Sequence, residues 1–402
     1  MQEQTEVDIS ILPPPANGDQ STIQSKIIFV NPFTHHSYFT ILALSACGPV
    51  EVLCPPLILQ LWLGHWRREA LSLRRSFLGV FFAQPLALVA YGLFSLRCIS
   101  ENFYLHCFYL AARIVLLQPG AQLVYVFQDY MLPLMARTHP QRRFISEFII
   151  QISPDLANYR SSVCAAQLAQ RVVAPTSLIQ AELKDHGVEV VLAPYGGDKS
   201  RYRRLHHKVF ITPKPDELTP SVPVASNRFL IAARANTFRK GLDLLLEALK
   251  QLGHHWPADL QTKVEVVICG PVVEMQRLLA VSDRISISSG QLSQDAYLEL
   301  LHQADLFVMP SRLEGSSPAA LEALWLGVPA LLTANCGVES FQPGEHGLLI
   351  DPPTAPVLSD HLRQVLLHPE LLSTWRHTLA RDRHRFTWNR YLATVAQLLA
   401  SP

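Results

Sequence analysis

The chain has 402 residues, 49% of them hydrophobic and 17% charged, a composition that builds ordinary globular domains and, at this length, more than one of them. Lysines and arginines number 34 against 33 aspartates and glutamates, so a net charge of +1 provides no overall field to recruit nucleic acid or an acidic membrane. Seven scattered cysteines, odd in number and without a C-x-x-C pair, exclude a disulfide framework and a cysteine-built zinc site, and fit reduced thiols in a cytoplasmic setting.

Residues 1–24 lack the basic start and apolar run of a signal peptide and read as a polar, mobile tail. A first domain is expected over 25–211. It opens with the strand KIIFV (26–30), the loop NPFTHH and a helical run from Ser37, followed by a second strand at 49–54. The apolar stretch 76–96 is long enough, at about 1.5 Å per residue, to reach across a bilayer core. Gln84-Pro85 interrupts it at the centre and strand-like segments flank it, so a kinked helix belonging to the domain is expected. The other reading is peripheral membrane contact through 57–96, with Trp62, Trp66 and the arginines at 67, 68, 74 and 75 docking at the inner face of a membrane. Strands at 121–127, 171–175 and 188–194, with helical runs between them, complete a parallel α/β pattern.

Residues 212–226 form a proline-rich linker, with four prolines in the stretch TPKPDELTPSVPV. Alternation then restarts over 227–384. Strands are expected at 228–234, 263–270, 284–290, 305–310, 329–333 and 347–351, and helices at 241–251, 294–302 and 318–326. A final helix lies in 385–402. The fold class is therefore α/β, with two Rossmann-like doubly wound parallel-sheet domains facing across a cleft, where such sheets bind ligands at their carboxyl edges.

The second domain carries the chemistry. Arg234 follows a strand directly, and Arg239 and Lys240 end the loop before a helix. Cations in those places suit an anion such as a diphosphate, although a solvated basic loop has the same composition. In SRLEGSSPAALEALWLGVP, Ser317 is the expected N-cap and Pro318 the first helical residue, with Gly327 and Pro329 ending the helix. The N–H groups of Ser316, Ser317 and Ala319 would then offer an anion site, and Gly315 would allow close backbone approach. Glu314 stands in the loop, where it can accept hydrogen bonds from hydroxyl donors. Glu322 lies inside the helix among Leu321, Ala323, Leu324 and Trp325, a setting in which a carboxylate needs hydrogen-bond partners.

PSRLEGSSPAALEALWLGVPALLTANCGVES, followed by GEHGLLID, resembles the E-x7-E region of the retaining GT-B glycosyltransferases of family 4, also described as glycosyl transferases group 1. AARANTFRKGLDLLLEAL is similar to that family's strand, arginine, loop, Lys-Gly and helix; VVICGP, ADLFVMPS and VVAPTSLIQAELKDHGVEVVLAPYGGD follow the family's order. The resemblance covers about residues 165–351. It implies a metal-independent, cofactor-free transfer of a sugar from a UDP-, GDP- or ADP-sugar to a glycan, lipid-linked or small-molecule acceptor, as in polysaccharide biosynthesis. It further implies that Arg234 and Lys240, with Arg239, neutralise the donor diphosphate. Glu314 would hold the donor sugar, Gly315, Ser316 and Ser317 would meet sugar and phosphate, and Glu322 would bind the ribose. Gly270, Gly290, Gln291 and Leu292 would shape the base pocket, and Trp388 and Tyr391 would bring the last helix back to the first domain.

The first 160 residues match only in architecture. His35 and His36 stand where relatives often have a glycine-rich loop, and Gln128 and Asp129 where many have a histidine. Those four are candidate donor or acceptor contacts; a surface histidine pair is the other reading of the first two. The basic run 199–208 reads as solvated hinge surface or as a contact for an acidic acceptor. A GT-B phosphorylase, or a degenerate member that binds nucleotide-sugars or scaffolds glycan assembly, remain the competing functions.

Overall fold

A computed structural model describes residues 26–31, 40–41, 44, 50–54, 83–116, 121–127, 132–148, 159–198, 228–235, 237–258, 260–270 and 282–400. Outside them lie the tail 1–24, His35 and His36, the segment 57–82 with Trp62 and Trp66, Gln128 and Asp129, the basic run 199–208 and the linker 212–226. The described residues fall into two compact units. One runs to Pro194 and takes up the chain again from Trp388; the other holds residues 195–198 and 228–387.

The first unit contains strands β1 (Lys26–Val30), β2 (Val50–Leu53), β3 (Ala121–Phe127), β4 (Arg143–Glu147), β5 (Arg171–Ala174) and β6 (Val190–Leu192) in the order β2-β1-β3-β4-β5-β6, all parallel. Its helices are α1 (Ala83–Ser95), α2 (Glu101–Leu116), α3 (Leu132–Thr138), α4 (Tyr159–Leu168) and α5 (Ser177–Lys184). Strands covered on both faces read as continuous apolar runs, and Ile27 to Val30 and Leu123 to Val126 are all buried. Of the apolar stretch 76–96, the described part holds α1, Ala83–Ser95, with Pro85 as its third described residue; the part before it lies outside the described residues. Among the described residues no helix is long and apolar enough to cross a membrane.

β4 was not anticipated, because RFISE places Ser146 and Glu147 where an apolar residue would be expected, and both are fully buried. Glu147 is held by hydroxyls. Tyr125 and Tyr391 each donate to its Oε2 at 2.7 Å, and Thr40 lies 3.4 Å from the same oxygen and 2.6 Å from the Tyr391 hydroxyl. Tyr391 belongs to the last helix, Asn389–Ala400, so this cluster ties that helix into the first unit.

The second unit contains β7 (Arg228–Ala233), α6 (Leu242–His254), β8 (Lys263–Cys269), β9 (Ile285–Gly290), α7 (Gln294–Gln303), β10 (Leu306–Met309), α8 (Pro318–Trp325), β11 (Ala330–Leu332), β12 (Gly347–Leu349), α9 (Ala355–Leu367) and α10 (Glu370–Asp382). The terminal helix described above is α11. The second sheet is parallel, with the order β12-β11-β10-β7-β8-β9. Counted within the unit this is 6-5-4-1-2-3, the Rossmann order, whose switch point lies between β7 and β10. In α6, Leu245, Ala248, Leu249 and Leu252 are buried at helical spacing, and each buried leucine contributes roughly 2 kcal/mol. The segment Tyr195 to Asp198 joins this unit closely: the Gly197 N–H donates to the Phe386 carbonyl at 2.8 Å. A Cβ on Gly197 would fall 2.1 Å from the Leu321 carbonyl oxygen, so only glycine fits against α8 there.

Candidate functional site

The second sheet brings its candidate residues to the carboxyl ends of β7, β8, β9 and β10, around the switch point. Arg234 continues β7: its backbone N–H donates to the Val308 carbonyl at 3.2 Å. Its guanidinium reaches across to the Cys269 carbonyl at 3.4 Å. The half-buried arginine thus lies over the ends of three strands.

The loop 237–241 follows as a run of tight turns, Lys240 N–H to the Thr237 carbonyl at 3.1 Å and Gly241 N–H to the Phe238 carbonyl at 3.0 Å. Gly241 opens α6 with φ +76°, and a Cβ there would lie 2.0 Å from the Pro310 carbonyl oxygen. Both the left-handed backbone and the contact require glycine. This close approach sets the loop against the residues after β10.

Those residues carry Glu314, which is nearly buried. Its Oε1 accepts from Lys240 Nζ at 2.7 Å, from Arg239 Nη1 at 2.9 Å and from the Ser311 hydroxyl at 3.3 Å. The carboxylate expected to wait for hydroxyl donors is thus already engaged by the two loop cations. Arg239 also donates to the Leu313 carbonyl at 2.7 Å. Its side chain is 51% exposed, whereas that of Lys240 is 16% exposed.

α8 begins as the sequence indicates. The Ser317 hydroxyl caps it by accepting from Ala320 N–H at 3.3 Å, with Pro318 in the first turn, and donates to the Met309 sulfur at 2.9 Å. One expectation fails at this helix end: the Ser317 N–H is not available to a ligand, because it donates to the Cys336 carbonyl at 2.9 Å. The turn 334–336 packs there, with Cys336 Sγ donating to the Met309 carbonyl at 3.1 Å and Thr333 Oγ1 to the Ser311 carbonyl at 2.5 Å. Gly315, Ser316 and Ser317 are all buried.

Glu322 is buried in α8. Tyr297, from α7, donates to the Ala319 carbonyl at 3.5 Å. Burial first, then the charge of Glu322, pushes its hydroxyl well above the ordinary range, and Arg234 opposes the shift. Tyr297, Glu322 and Arg234 therefore share one electrostatic environment. At the other end of the sheet edge, Gly270 donates its N–H to the Gly290 carbonyl at 2.8 Å, with Gln291 and Leu292 exposed beside it.

The structure thus gathers Arg234, Arg239, Lys240, Glu314, Gly315, Ser316, Ser317 and Glu322 at one sheet edge, with Gly270 and residues 290–292 on the same edge. His35, His36, Gln128 and Asp129 lie outside the described residues. Sequence reasoning missed Arg312, Asp243 and Tyr297. Asp243 reads as a helix-dipole residue and Tyr297 as a core aromatic, so only the tertiary fold reveals their neighbours. Glu345, His346 and Asp382 place ligand-type atoms within 4.8 Å of one another. His346 Nδ1, however, accepts the Gln342 N–H at 3.1 Å, which leaves the ring proton on Nε2 facing Asp382 at 3.2 Å. Arg381 and Arg385 bind the same carboxylate, so the cluster is a charge knot and its lone pairs are spent.

Residues 219–380 match the family described as glycosyl transferases group 1. Two Rossmann-like parallel sheets, the second lying within that match, define a GT-B fold. The chain is 32% identical over 174 residues to MMP alpha-(1->4)-mannosyltransferase of Mycolicibacterium hassiacum, covering 42% of this chain and 42% of that protein. It is 26% identical over 276 residues to D-inositol 3-phosphate glycosyltransferase of Salinispora arenicola, covering 65% of this chain and 58% of that one. It thus spans less than two thirds of either relative. Among solved structures, Anabaena HepE in complex with UDP and glucose superposes with a TM-score of 0.61 at 16% identity, covering 94% of this chain and all of that one.

Proposed function

We propose that the protein transfers a sugar from a nucleoside-diphosphate sugar to a glycan, lipid-linked or small-molecule acceptor, with retention of anomeric configuration and without a metal ion. The observation that carries this reading is the cluster at the Rossmann switch point, where Arg239 and Lys240 bind Glu314 beside the start of α8 and Arg234 lies over the neighbouring strand ends. Cations held in place before the reaction stabilise charge as it develops on the leaving diphosphate. Arg234 and Lys240 would take the diphosphate oxygens, with Arg239 sharing the load. Glu314 would exchange a cation for hydroxyls of the donor sugar as the diphosphate draws those cations away. Glu322 would accept from the ribose, and Gly270 with residues 290–292 would flank the base. The named relatives are glycosyltransferases, and HepE was crystallised with UDP and glucose, which supports a UDP-sugar as the first donor to try.

The test is transfer or hydrolysis with UDP-, GDP- and ADP-sugars, with and without EDTA, comparing the wild type with Glu314→Ala and Arg234→Ala. Turnover that resists chelation, falls at least 100-fold in both variants and yields the donor's own anomer supports the proposal. Nucleotide binding with no turnover of any donor would reduce the protein to a binding module.

A further inference from the structure

The loop that carries Arg239 and Lys240 is fastened by a side chain that has no part in the chemistry proposed above. Arg312 reaches from its own loop to Asp243 and Phe238, 69 and 74 residues earlier in the chain. Its Nη1 donates to Asp243 Oδ1 and to the Phe238 carbonyl, each at 2.7 Å, and its Nη2 donates to Asp243 Oδ2 at 2.7 Å. The guanidinium lies 4.1 Å from the centre of the Phe238 ring. Phe238 is 70% exposed, an unfavourable setting for a phenyl ring unless it covers something, and here it covers one face of that cation. The Arg312 N–H donates to the Arg239 carbonyl at 2.9 Å, and the Ser311 hydroxyl, whose one proton is shared with Glu314, lies 3.3 Å from the same carbonyl oxygen. Asp243, in the first turn of α6, is held below the ordinary carboxylate range chiefly by Arg312, so the pair stays charged.

We propose that Arg312 and Asp243 are a positioning pair: their two-pronged ion pair holds the loop 237–241 against the loop 311–314, so that Arg239, Lys240 and Glu314 form one preset cluster before a diphosphate arrives. The pair itself touches no ligand. Only a guanidinium can meet both carboxylate oxygens and the Phe238 carbonyl together; a lysine offers a single point charge and cannot reproduce the fork. This inference rests on the donor-binding reading above.

Two measurements separate the failure of either. The first is binding and steady-state kinetics of the full chain with UDP, uridine and UDP-sugar, for the wild type, Arg312→Lys and Asp243→Asn, with the exposed surface pair variant Arg363→Ala as control. Displacing the cations by about 1 Å costs on the order of tenfold to 100-fold in kcat. UDP affinity should fall about tenfold, uridine affinity should not change, and Lys should fail to rescue. Equal losses for uridine and UDP, or wild-type kcat in both variants, would overturn the proposal. The second is hydrogen exchange in the absence of ligand. The Lys240, Gly241 and Leu242 amides should exchange at least tenfold faster in both variants while the β7 amides do not. Unchanged loop exchange overturns the positioning pair even if no nucleotide binds, whereas a wild type that binds no nucleotide overturns the functional reading alone.

Discussion

Replacing Tyr391 by phenylalanine removes one oxygen atom from the cluster that ties α11 into the first unit. Three hydroxyls converge on Glu147 Oε2, which is possible only if that oxygen carries no proton and acts as an acceptor throughout. The Tyr391 hydroxyl donates to it at 2.7 Å and is itself 2.6 Å from the Thr40 hydroxyl, so its removal deletes one hydrogen bond to a buried carboxylate and leaves Thr40 only its longer contact to the same oxygen. A hydrogen bond to a charged group is worth about 1.5–3 kcal/mol net, and the lost Thr40–Tyr391 contact puts the total in the upper part of that range, about 2–3 kcal/mol. For a unit of this size each kcal/mol lowers Tm by about 2–4 °C, which gives a fall of roughly 4–12 °C. The measurement is thermal and urea unfolding of Tyr391→Phe, Thr40→Val and the double variant. The two changes should be strongly non-additive because they remove the same hydroxyl pair. A loss below about 0.5 kcal/mol, or simple additivity, would show that Glu147 is satisfied without α11 and would refute the argument.

Gly241→Ala should abolish donor binding while leaving the sheet folded, because its Cβ would lie 2.0 Å from the Pro310 carbonyl and force the loop 237–241 off the residues after β10; wild-type UDP affinity in that variant would contradict the geometry. Thiol labelling at pH 8 should modify exposed Cys98 rapidly. Cys269 and Cys336 should resist it, since burial pushes each thiol up to about 11; equal labelling rates would refute this. Acid should weaken the second unit through His346 and then Asp382. Burial lowers the His346 pKa in the folded chain, so its contribution is complete above the unfolded value of about 6.5 and is lost as pH falls through that value toward the folded one. Asp382, held low mainly by Arg381, adds stability that is lost only below about pH 4. Unfolding midpoints of the wild type and His346→Gln between pH 7.5 and 5 should diverge, the variant changing less; parallel curves would sink the assignment.

The second sheet was legible because its strands β7, β10 and β11 are buried on both faces and its turns carry their own signals. Ser317, Pro318 and Gly327 delimit α8 through local capping, and local rules sufficed there. β4 was not legible: the reasons Ser146 and Glu147 can be buried come from Tyr125, Tyr391 and Thr40, and no window of sequence contains all of them. The site divides in the same way. Glu322 was recognised as a buried acid from its apolar neighbours. The engagement of Glu314 by Lys240, 74 residues away, and the use of the Ser317 N–H by Cys336 depend on which loops the Rossmann order places side by side.

The ion pairs on Glu314 bear on how the protein behaves in salt. A pocket of three bare cations would gather bulk anions, which any substrate would then have to displace, and its affinity would fall steeply with ionic strength. Here the Glu314 carboxylate serves as a built-in counterion shared by Arg239 and Lys240 and cancels one of the three positive charges. On the proposed function, selectivity would rest on whether an incoming molecule can replace that internal partner at both ends, supplying an anion for the cations and hydroxyls for the freed carboxylate. Inorganic phosphate can do only the first.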